Sequence, residues 1–198
     1  MRRFLLALAL ALLPLPALAE PVPLATLSSY LNSLTEVEAT FVQENSDGTT
    51  SSGRIFIKRP GRMRLEYDKP ETTVVIASGG TVSIFDSKSN EPPEQYPLAR
   101  TPLNLILGAN IDLTTARMVT GRTEIEGQTH VVAQDPKHPD YGTIELVFAP
   151  EPVALTGWII TDDMGNRTIV RLDGFSTTQS LKPSIFSVEI EAAKRQKG

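Results

Sequence analysis

The side chains best suited to metal binding or acid–base chemistry are the two histidines, His130 and His138. His130 falls within an alternating segment typical of a strand, whereas His138 lies in a proline-rich loop between Asp135 and Asp140. An imidazole together with one of these carboxylates could contact a divalent cation, but protein metal sites usually need three or four converging ligands. We therefore predict neither a metal nor a cofactor here.

A second candidate is the acidic turn from Asp162 to Asn166, whose composition is similar to that of a calcium-binding loop. The glutamate that normally closes such a loop does not follow. Aspartate, asparagine and glycine also favour tight turns, so a hairpin turn is the simpler interpretation. The nucleophile elbow, the phosphate-binding glycine loop and the dinucleotide fingerprint are missing from the sequence. An enzyme is not predicted.

The N-terminus has the pattern of an export signal. Arg2 and Arg3 precede an apolar run of about ten residues, and Ala17-Leu18-Ala19 matches a cleavage site. The run is shorter than the roughly 20 residues that span a bilayer. We predict a signal peptide over residues 1–19 and a single domain over residues 20–198, located in the periplasm of a Gram-negative bacterium.

Composition excludes several classes of protein. The sequence has no cysteine, so neither disulfides nor a lipid-modified N-terminal cysteine is available. Removal of residues 1–19 takes the formal net charge from −4 to −6, because two arginines and no acids are lost. Nucleic-acid binding is not expected of such a chain, since it depends on clustered cations that neutralise phosphates. About 180 residues suffice for one domain with a sizeable core.

Apolar and polar residues alternate with a period of two through most of the chain after residue 36. This pattern predicts ten or eleven short strands, which favours an all-β sandwich or barrel. The segment between Asn90 and Pro102 interrupts the alternation because it contains four prolines. The last predicted strand covers residues 185–188, and the charged tail that follows has no predicted structure.

Helical spacing is confined to short segments. The first predicted helix carries four leucines at helical spacing: Leu24, Leu27, Leu31 and Leu34. A second helix is predicted after Thr101-Pro102, and its apolar residues are Leu103, Leu105, Ile106 and Leu107. A third is predicted near Asp112. The apolar second helix has two interpretations, a core helix that closes one end of a barrel or a movable lid over an apolar cavity.

Four motifs in a fixed order carry a resemblance to a known family. They are Ala39-Thr40-Phe41-Val42-Gln43, the segment from Gly53 through Lys58-Arg59-Pro60 to Tyr67, the strand from Val75 to Gly79-Gly80, and Thr101-Pro102 with its apolar helix. Behind a signal peptide, these motifs resemble the LolA family of periplasmic carriers of outer-membrane lipoproteins. The resemblance is strong from Leu24 to Gly108. After Gly108 it depends only on the order of the predicted strands.

The resemblance implies a mainly β (α+β) fold, an open and incomplete antiparallel β-barrel of about eleven strands with two or three helices forming a lid over an apolar cavity. It implies a carrier that binds triacylated lipoproteins released by an inner-membrane ABC transporter. The acceptor would be an outer-membrane protein such as LolB, which shares the fold but has a lipid-modified cysteine. We expect a monomer. Two alternatives remain open: a carrier of another lipid or amphiphile, and a stress domain that senses lipoproteins.

The resemblance also assigns site residues. Arg59 matches the arginine that holds the lid to the barrel by hydrogen bonds in this family, and Leu103, Leu105, Ile106 and Leu107 match the lid helix. Alternation places one set of residues on a shared face, which we expect to line the cavity: Phe41, Ile55, Ile57, Met63, Leu65, Val75 and Ile84. Met63 and Leu65 stand where many relatives carry aromatic residues, so the cavity's shape should differ.

Overall fold

The computed structural model describes residues 20–86, 88–89, 91–101, 103–177 and 180–196. The predicted signal peptide (residues 1–19) and Pro102, at the predicted start of the second helix, lie outside these residues. The described chain contains one antiparallel sheet of eleven strands, in the order β6-β5-β4-β3-β2-β1-β11-β10-β9-β8-β7. The pairing of β1 with β11 joins the two halves, and β6 and β7 are the edges. The predicted eleven-stranded architecture is confirmed.

The strands are short and connected mostly by tight turns. Their bounds are β1 Glu36–Glu44, β2 Thr50–Lys58, β3 Arg62–Tyr67, β4 Val74–Ser78, β5 Thr81–Phe85, β6 Glu94–Pro97, β7 Val119–Ile125, β8 Gln128–Ala133, β9 Thr143–Pro150, β10 Val153–Thr161 and β11 Arg167–Ser176. Strand β6 lies within the proline-rich segment, where the alternation gave no signal. A strand that contains a proline is tolerated at the edge of the sheet, because an edge strand forms hydrogen bonds with a neighbour on one side only.

Among the described residues, three α-helices accompany the sheet: α1 Leu24–Ser33, α2 Asn104–Leu107 and α3 Val188–Arg195. Leu27 and Leu31 face the core, as the helical spacing predicted. Helix α2 is a single turn that stops at Gly108. Within the described ranges, none of the helices has the length and apolarity needed to cross a membrane.

The concave face of the sheet and two helices share one core. Buried residues of β1 to β5 and of β8 to β11 pack together with Leu27 and Leu31 of α1 and with Leu105, Ile106 and Leu107 of α2. Because both halves of the sheet contribute to the same cluster, the sheet must curve around α1 and α2. These helices therefore occupy the space that a closed barrel would fill with strand side chains.

The predicted strand over residues 185–188 is wrong. Residues Pro183–Phe186 form a 3-10 turn, and Ser187 then caps helix α3 by accepting a hydrogen bond from the backbone N–H of Ile190 at 3.1 Å. Acidic residues lie in the first turn of α3 and basic residues in its last turn. Charges in these positions interact favourably with the helix dipole. A run of four residues was too short to distinguish a strand from a helix turn by periodicity.

The predicted helix near Asp112 is also wrong. The Asp112 carboxylate accepts hydrogen bonds from the backbone N–H and the hydroxyl of Thr114 and from the hydroxyl of Thr115. Such side-chain-to-backbone bonds favour a turn over a helix interior. The N–H of Leu113 donates to the Oγ of Ser28 in α1 at 2.9 Å, so the turn is joined to α1.

The C-terminal segment of residues 181–195, which we call the C-terminal strap, covers the convex face of β2 to β5. Its apolar residues contact two small clusters there: Leu181 and Phe186 pack with Phe56, and Val188 and Ala192 pack with Val74, Ile76 and Phe85. At its start, Lys58 Nζ donates to the Leu181 carbonyl at 2.9 Å. At its end, Arg195 donates to the carbonyl of Thr72 at 3.0 Å. The strap is therefore held to the convex face at both of its ends.

A buried ion pair lies beneath the strap. Arg64 points to the convex face of β3, and its guanidinium contacts the Glu191 carboxylate of α3 at 2.9 Å, with side-chain exposures of 6% and 8%. Burial alone would raise the pKa of Glu191, but the hydrogen bond and charge of Arg64, with those of Arg195, outweigh burial and hold that pKa below its ordinary value. Glu66 also contacts Arg64, at 2.6 Å.

We predict that Glu191→Gln destabilises the protein by about 3 kcal/mol at pH 7, the lower end of the range for a broken buried pair, because Glu66 stays beside Arg64. A carboxylate with a lowered pKa stabilises the fold above its unfolded-state pKa of about 4.3, and this stabilisation is lost as the pH falls through the folded-state value. The difference between wild type and Glu191→Gln, measured by urea unfolding, should therefore shrink below about pH 4. Glu91→Gln, in an exposed loop, is the control. If the difference in unfolding free energy between wild type and Glu191→Gln did not change with pH, the proposed contribution of the Arg64–Glu191 ion pair would be contradicted.

Candidate functional site

Arg59 directly follows β2, and its side chain contacts the ends of two helices. Its Nη2 donates to the carbonyl of Gly108, the residue after α2, at 2.7 Å, and its Nε donates to the same oxygen at 3.2 Å. Its Nη1 donates to the carbonyl of Leu31 in the last turn of α1. Carbonyls at a helix C-terminus have no partner within the helix, so a guanidinium satisfies them well. One side chain thus joins α1 to the end of α2.

The backbone of the same turn reinforces these contacts. The N–H of Arg59 donates to the carbonyl of Thr35 after α1, and the N–H of Gly61 donates to the carbonyl of Leu107 in α2, both at 2.8 Å. Gly61 has a φ of +71°, in the left-handed region that favours glycine. We call residues 58–61 the latch turn, since both side-chain and backbone groups of this turn hold the two helices.

Asn32 is a part of this site that sequence reasoning missed. Its Oδ1 accepts from Arg59 Nη2 and from the N–H of Ile111, both at 3.0 Å, while its Nδ2 donates to the carbonyl of Ile111 at 2.8 Å. Asn32 therefore links Arg59 to the segment after α2. The sequence offered no signal for it, because a single polar residue near a helix end is common and its partners are far away in the chain.

Partial burial lowers the pKa of the Arg59 guanidinium. Arginine nevertheless stays protonated in proteins, so the latch is charged at every physiological pH. Its described partners are backbone carbonyls and one amide oxygen, and these are neutral acceptors. The hydrogen bonds are charge-assisted on the donor side, which makes them stronger than neutral ones.

An apolar cavity of about 270 Å³ lies on the concave face, beside the segment that leads into α2. It is lined by residues from both halves of the sheet: Gln43, Met63, Leu65, Tyr67, Val75, Val82, Ile84, Tyr96, Thr101, Leu103, Tyr141, Thr143, Ile144, Trp158, Ile160 and Val170. Most of these side chains are aliphatic or aromatic. Tyr96, Tyr141 and Ile160 are substantially exposed, so they mark the side where the cavity meets solvent.

The residues predicted to line the cavity all lie on this concave side but divide into two groups. Met63, Leu65, Val75 and Ile84 line the cavity, as does Leu103. The others, Phe41, Ile55 and Ile57, and Leu105, Ile106 and Leu107 of α2, are packed within the surrounding core. The wall formed by Ile144, Trp158 and Val170 was missed. Alternation is present in those strands too, but it does not reveal which distant strands face each other.

Gly53 makes room for an aromatic pair in the wall of the site. Phe41 lies opposite Gly53 in the register of β1 and β2, and its ring meets that of Tyr67 edge to face, with centroids 5.0 Å apart. A Cβ added at Gly53 would lie 2.8 Å from the Phe41 ring and 2.1 Å from the carbonyl oxygen of Glu66. Only glycine fits beneath this ring.

The two histidines are placed outside this site. The Nδ1 of His130 lies 2.5 Å from the Oε1 of Glu145, and the His138 ring stacks on Tyr141 at a centroid distance of 4.7 Å. Across the part of the chain that the structure describes, no group of three or more histidine or acidic residues is arranged to hold a metal ion. The arrangement at the latch and the cavity is suited to enclosing an apolar ligand.

Comparison with known proteins gives consistent matches. The family described as Outer membrane lipoprotein carrier protein LolA matches residues 32–189. The outer-membrane lipoprotein carrier protein of Chromohalobacter salexigens is 29% identical, covering 96% of this chain and 95% of that protein. The protein of the same name from Methylococcus capsulatus is 26% identical, covering 93% and 91%. A solved protein domain from Vibrio parahaemolyticus is similar in fold, with a TM-score of 0.50 at 8% identity, covering 84% of this chain and 96% of that one.

We predict that Gly53→Ala destabilises the protein by about 2 kcal/mol or more, because overpacking forces Phe41 or the β3 backbone to move. Gly121→Ala is the matched control, since Gly121 also lies in a strand and a Cβ there meets nothing within 4 Å. Thermal unfolding of both variants is the measurement. Equal melting temperatures for the two variants would show that the Phe41 ring does not need the glycine.

Proposed function

The chain belongs to the LolA family of outer membrane lipoprotein carrier proteins, and on that premise we propose that it carries the acyl chains of lipoproteins across the periplasm. The observation that supports the proposal most directly is the apolar cavity on the concave face, next to two helices held by Arg59. Such an arrangement can shield an acyl chain from water and release it again, and neither step requires catalysis.

The hydrophobic effect supplies the driving force for capture. Moving an acyl chain of about 16 carbons from water into an apolar cavity gains on the order of 12 kcal/mol, at about 0.8 kcal/mol per methylene. A lipoprotein outside a membrane exposes its acyl chains to water unless a carrier covers them. An apolar cavity in a diffusing protein therefore makes the transfer between membranes energetically feasible.

The cavity must enlarge to accept a triacylated cargo. A group the size of a water molecule takes up about 10–15 Å³ of cavity volume, so three chains of about 16 carbons each need roughly 500 Å³ or more. The cavity offers about 270 Å³. Outward movement of α1 and α2 is the change that would extend it, because these helices fill the rest of the concave side. On this proposal, the structure is the closed state of the carrier.

The latch turn would set the balance between the closed and open states. A hydrogen bond to a charged group contributes about 1.5–3 kcal/mol, so the several bonds of Arg59 together contribute less than the burial of three acyl chains at about 12 kcal/mol each. Cargo can therefore displace Arg59 from its carbonyl partners. Re-formation of these bonds when the carrier closes favours the empty state, which promotes release at the acceptor.

The family assignment leads us to propose the partners as well. Residues 1–19 would direct export to the periplasm and be removed there. Triacylated lipoproteins would be received from an inner-membrane ABC transporter and delivered to an outer-membrane acceptor such as LolB. We propose that the carrier acts as a monomer, because both exchanges require an accessible cavity.

The proposed function predicts bound lipoprotein in protein purified from periplasm, detectable by mass spectrometry. Val75→Trp should reduce the bound amount at least several-fold, because the indole would occupy the cavity that Val75 lines. Val42→Trp, on the exposed face of β1, is the matched control and should retain the cargo. Free lipid in place of triacylated protein would show that the cargo is another amphiphile. If Val75→Trp carries as much lipoprotein as wild type, the cavity is not the binding site.

Arg59 is expected to control release more than capture. Arg59→Leu removes bonds made in the closed state, and each 1.4 kcal/mol lost there favours the loaded state about tenfold. This variant should accept lipoprotein as well as wild type and transfer it to purified acceptor at least about tenfold more slowly. Arg59→Lys should be intermediate, because lysine keeps the charge without the planar set of donors.

The control for this experiment is Arg62→Leu, which removes the same kind of charge from an exposed position on β3. Melting curves of all three variants should show that they remain folded at the assay temperature. Normal transfer by a folded Arg59→Leu variant would mean that Arg59 serves only to stabilise the helices.

A further inference from the structure

A polar trough of about 750 Å³ lies at the rim of the sheet, on the side away from the latch turn. It is formed by the β1–β2 turn, the β3–β4 loop and the start of β11. Its lining consists of polar and charged residues with one proline: Gln43, Asn45, Ser46, Asp47, Thr49, Thr50, Ser51, Ser52, Tyr67, Asp68, Lys69, Pro70, Glu71, Thr73, Lys88 and Thr168. Apart from Gln43 and Tyr67, which also line the apolar cavity, these residues have no role in the carrier function proposed above.

The trough adjoins the apolar cavity. Gln43 and Tyr67 line both, and the phenol hydroxyl of Tyr67 donates to Gln43 Oε1 at 2.7 Å. The Tyr67 ring packs against Phe41, whereas its hydroxyl is bonded to the amide of Gln43. Burial, followed by the charge of Glu71, raises the pKa of Tyr67, so the phenol stays neutral at physiological pH. This pair therefore marks the boundary between an apolar and a polar compartment.

We propose that the trough binds the hydrophilic peptide that follows the lipid-bearing cysteine of a cargo lipoprotein. The proposal rests on the carrier function proposed above. A lipidated N-terminus is itself apolar on one side of its cysteine and polar on the other. Acyl chains in the cavity place that junction near Gln43 and Tyr67, and the peptide that continues from it enters the adjoining trough.

The chemistry of the lining suits an extended peptide. Peptide N–H and C=O groups need partners of both kinds, and the trough offers hydroxyls, amides and carboxylates along its length. Several of the carboxylates already have partners: Asp47 accepts from Thr49, Asp68 accepts from Ser52, and Glu71 lies 3.6 Å from Lys88. These carboxylates are therefore dispersed among hydroxyl and lysine groups, which favours hydrogen bonding to a polar chain over the binding of a cation.

The test compares two probes on the full-length mature protein, with displacement of bis-ANS as the readout. One probe is tripalmitoylated S-glyceryl-cysteine amide, and the other carries the same lipid with a five-residue Ser-Gly extension. The extended probe should bind wild type about tenfold more tightly, as expected for a few net hydrogen bonds. Ser51→Trp, which fills the trough, should abolish the difference between the probes, and Val42→Trp should preserve it.

The outcomes separate the two proposals. If wild type binds neither probe, the carrier function itself is wrong. If it binds both probes equally, lipid capture stands and the peptide subsite is wrong. Unchanged binding of the peptide-free probe to Ser51→Trp shows that this variant is folded. If Ser51→Trp is folded in this sense and still prefers the extended probe, the peptide lies elsewhere and the proposal is overturned.

Discussion

An antiparallel sheet that does not close on itself leaves its concave apolar face to be covered by other parts of the chain, and this constraint governs the rest of the structure. The edges β6 and β7 are not paired with each other, so the space between the two halves is filled by α1 and α2. These short helices contribute few interactions of their own, since isolated helices of this length are marginal in water. They depend on contacts with the sheet, and the latch turn supplies several of the polar ones.

The β2–β3 hairpin connects the two sides of the molecule. Its turn places Arg59 against the helices of the concave side, while Arg64 in β3 contacts the C-terminal strap on the convex side. The two contacts differ in kind. Arg59 binds neutral oxygens and is only partly buried, whereas Arg64 is almost fully buried and paired with a carboxylate. Breaking the second pair would leave a buried charge without its partner, so that contact is the more costly of the two to break. The proposed movement of α1 and α2 therefore requires only the less costly contact to open.

Two kinds of surface meet where the concave side reaches the rim of the sheet. The cavity and the polar trough meet at Gln43 and Tyr67, and the edge-to-face contact of Tyr67 with Phe41 fixes the position of that boundary. Gly53 is needed there because the Phe41 ring occupies the position of its missing side chain. An amphiphile has an apolar acyl chain at one end and a polar group at the other. It therefore meets a surface that is apolar in the cavity and polar in the trough.

Sequence patterns alone reveal which residues share a strand face, where the first two helices lie, and which family the motifs resemble, because period, turn chemistry and short motifs are local properties. They place Arg59 at a strand corner, but the carbonyls of Leu31 and Gly108 that it contacts are brought there only by folding. The C-terminal strap was missed because a four-residue apolar run is compatible with either element until a surface selects one. The cavity wall from Ile144 to Val170 depends on the pairing of β1 with β11, which joins residues more than a hundred positions apart. The role of Asn32 depends on its contacts with Arg59 and Ile111, which are also distant in the chain. Such long-range pairing is decided by the burial of the whole concave face, so only the tertiary structure could assign it.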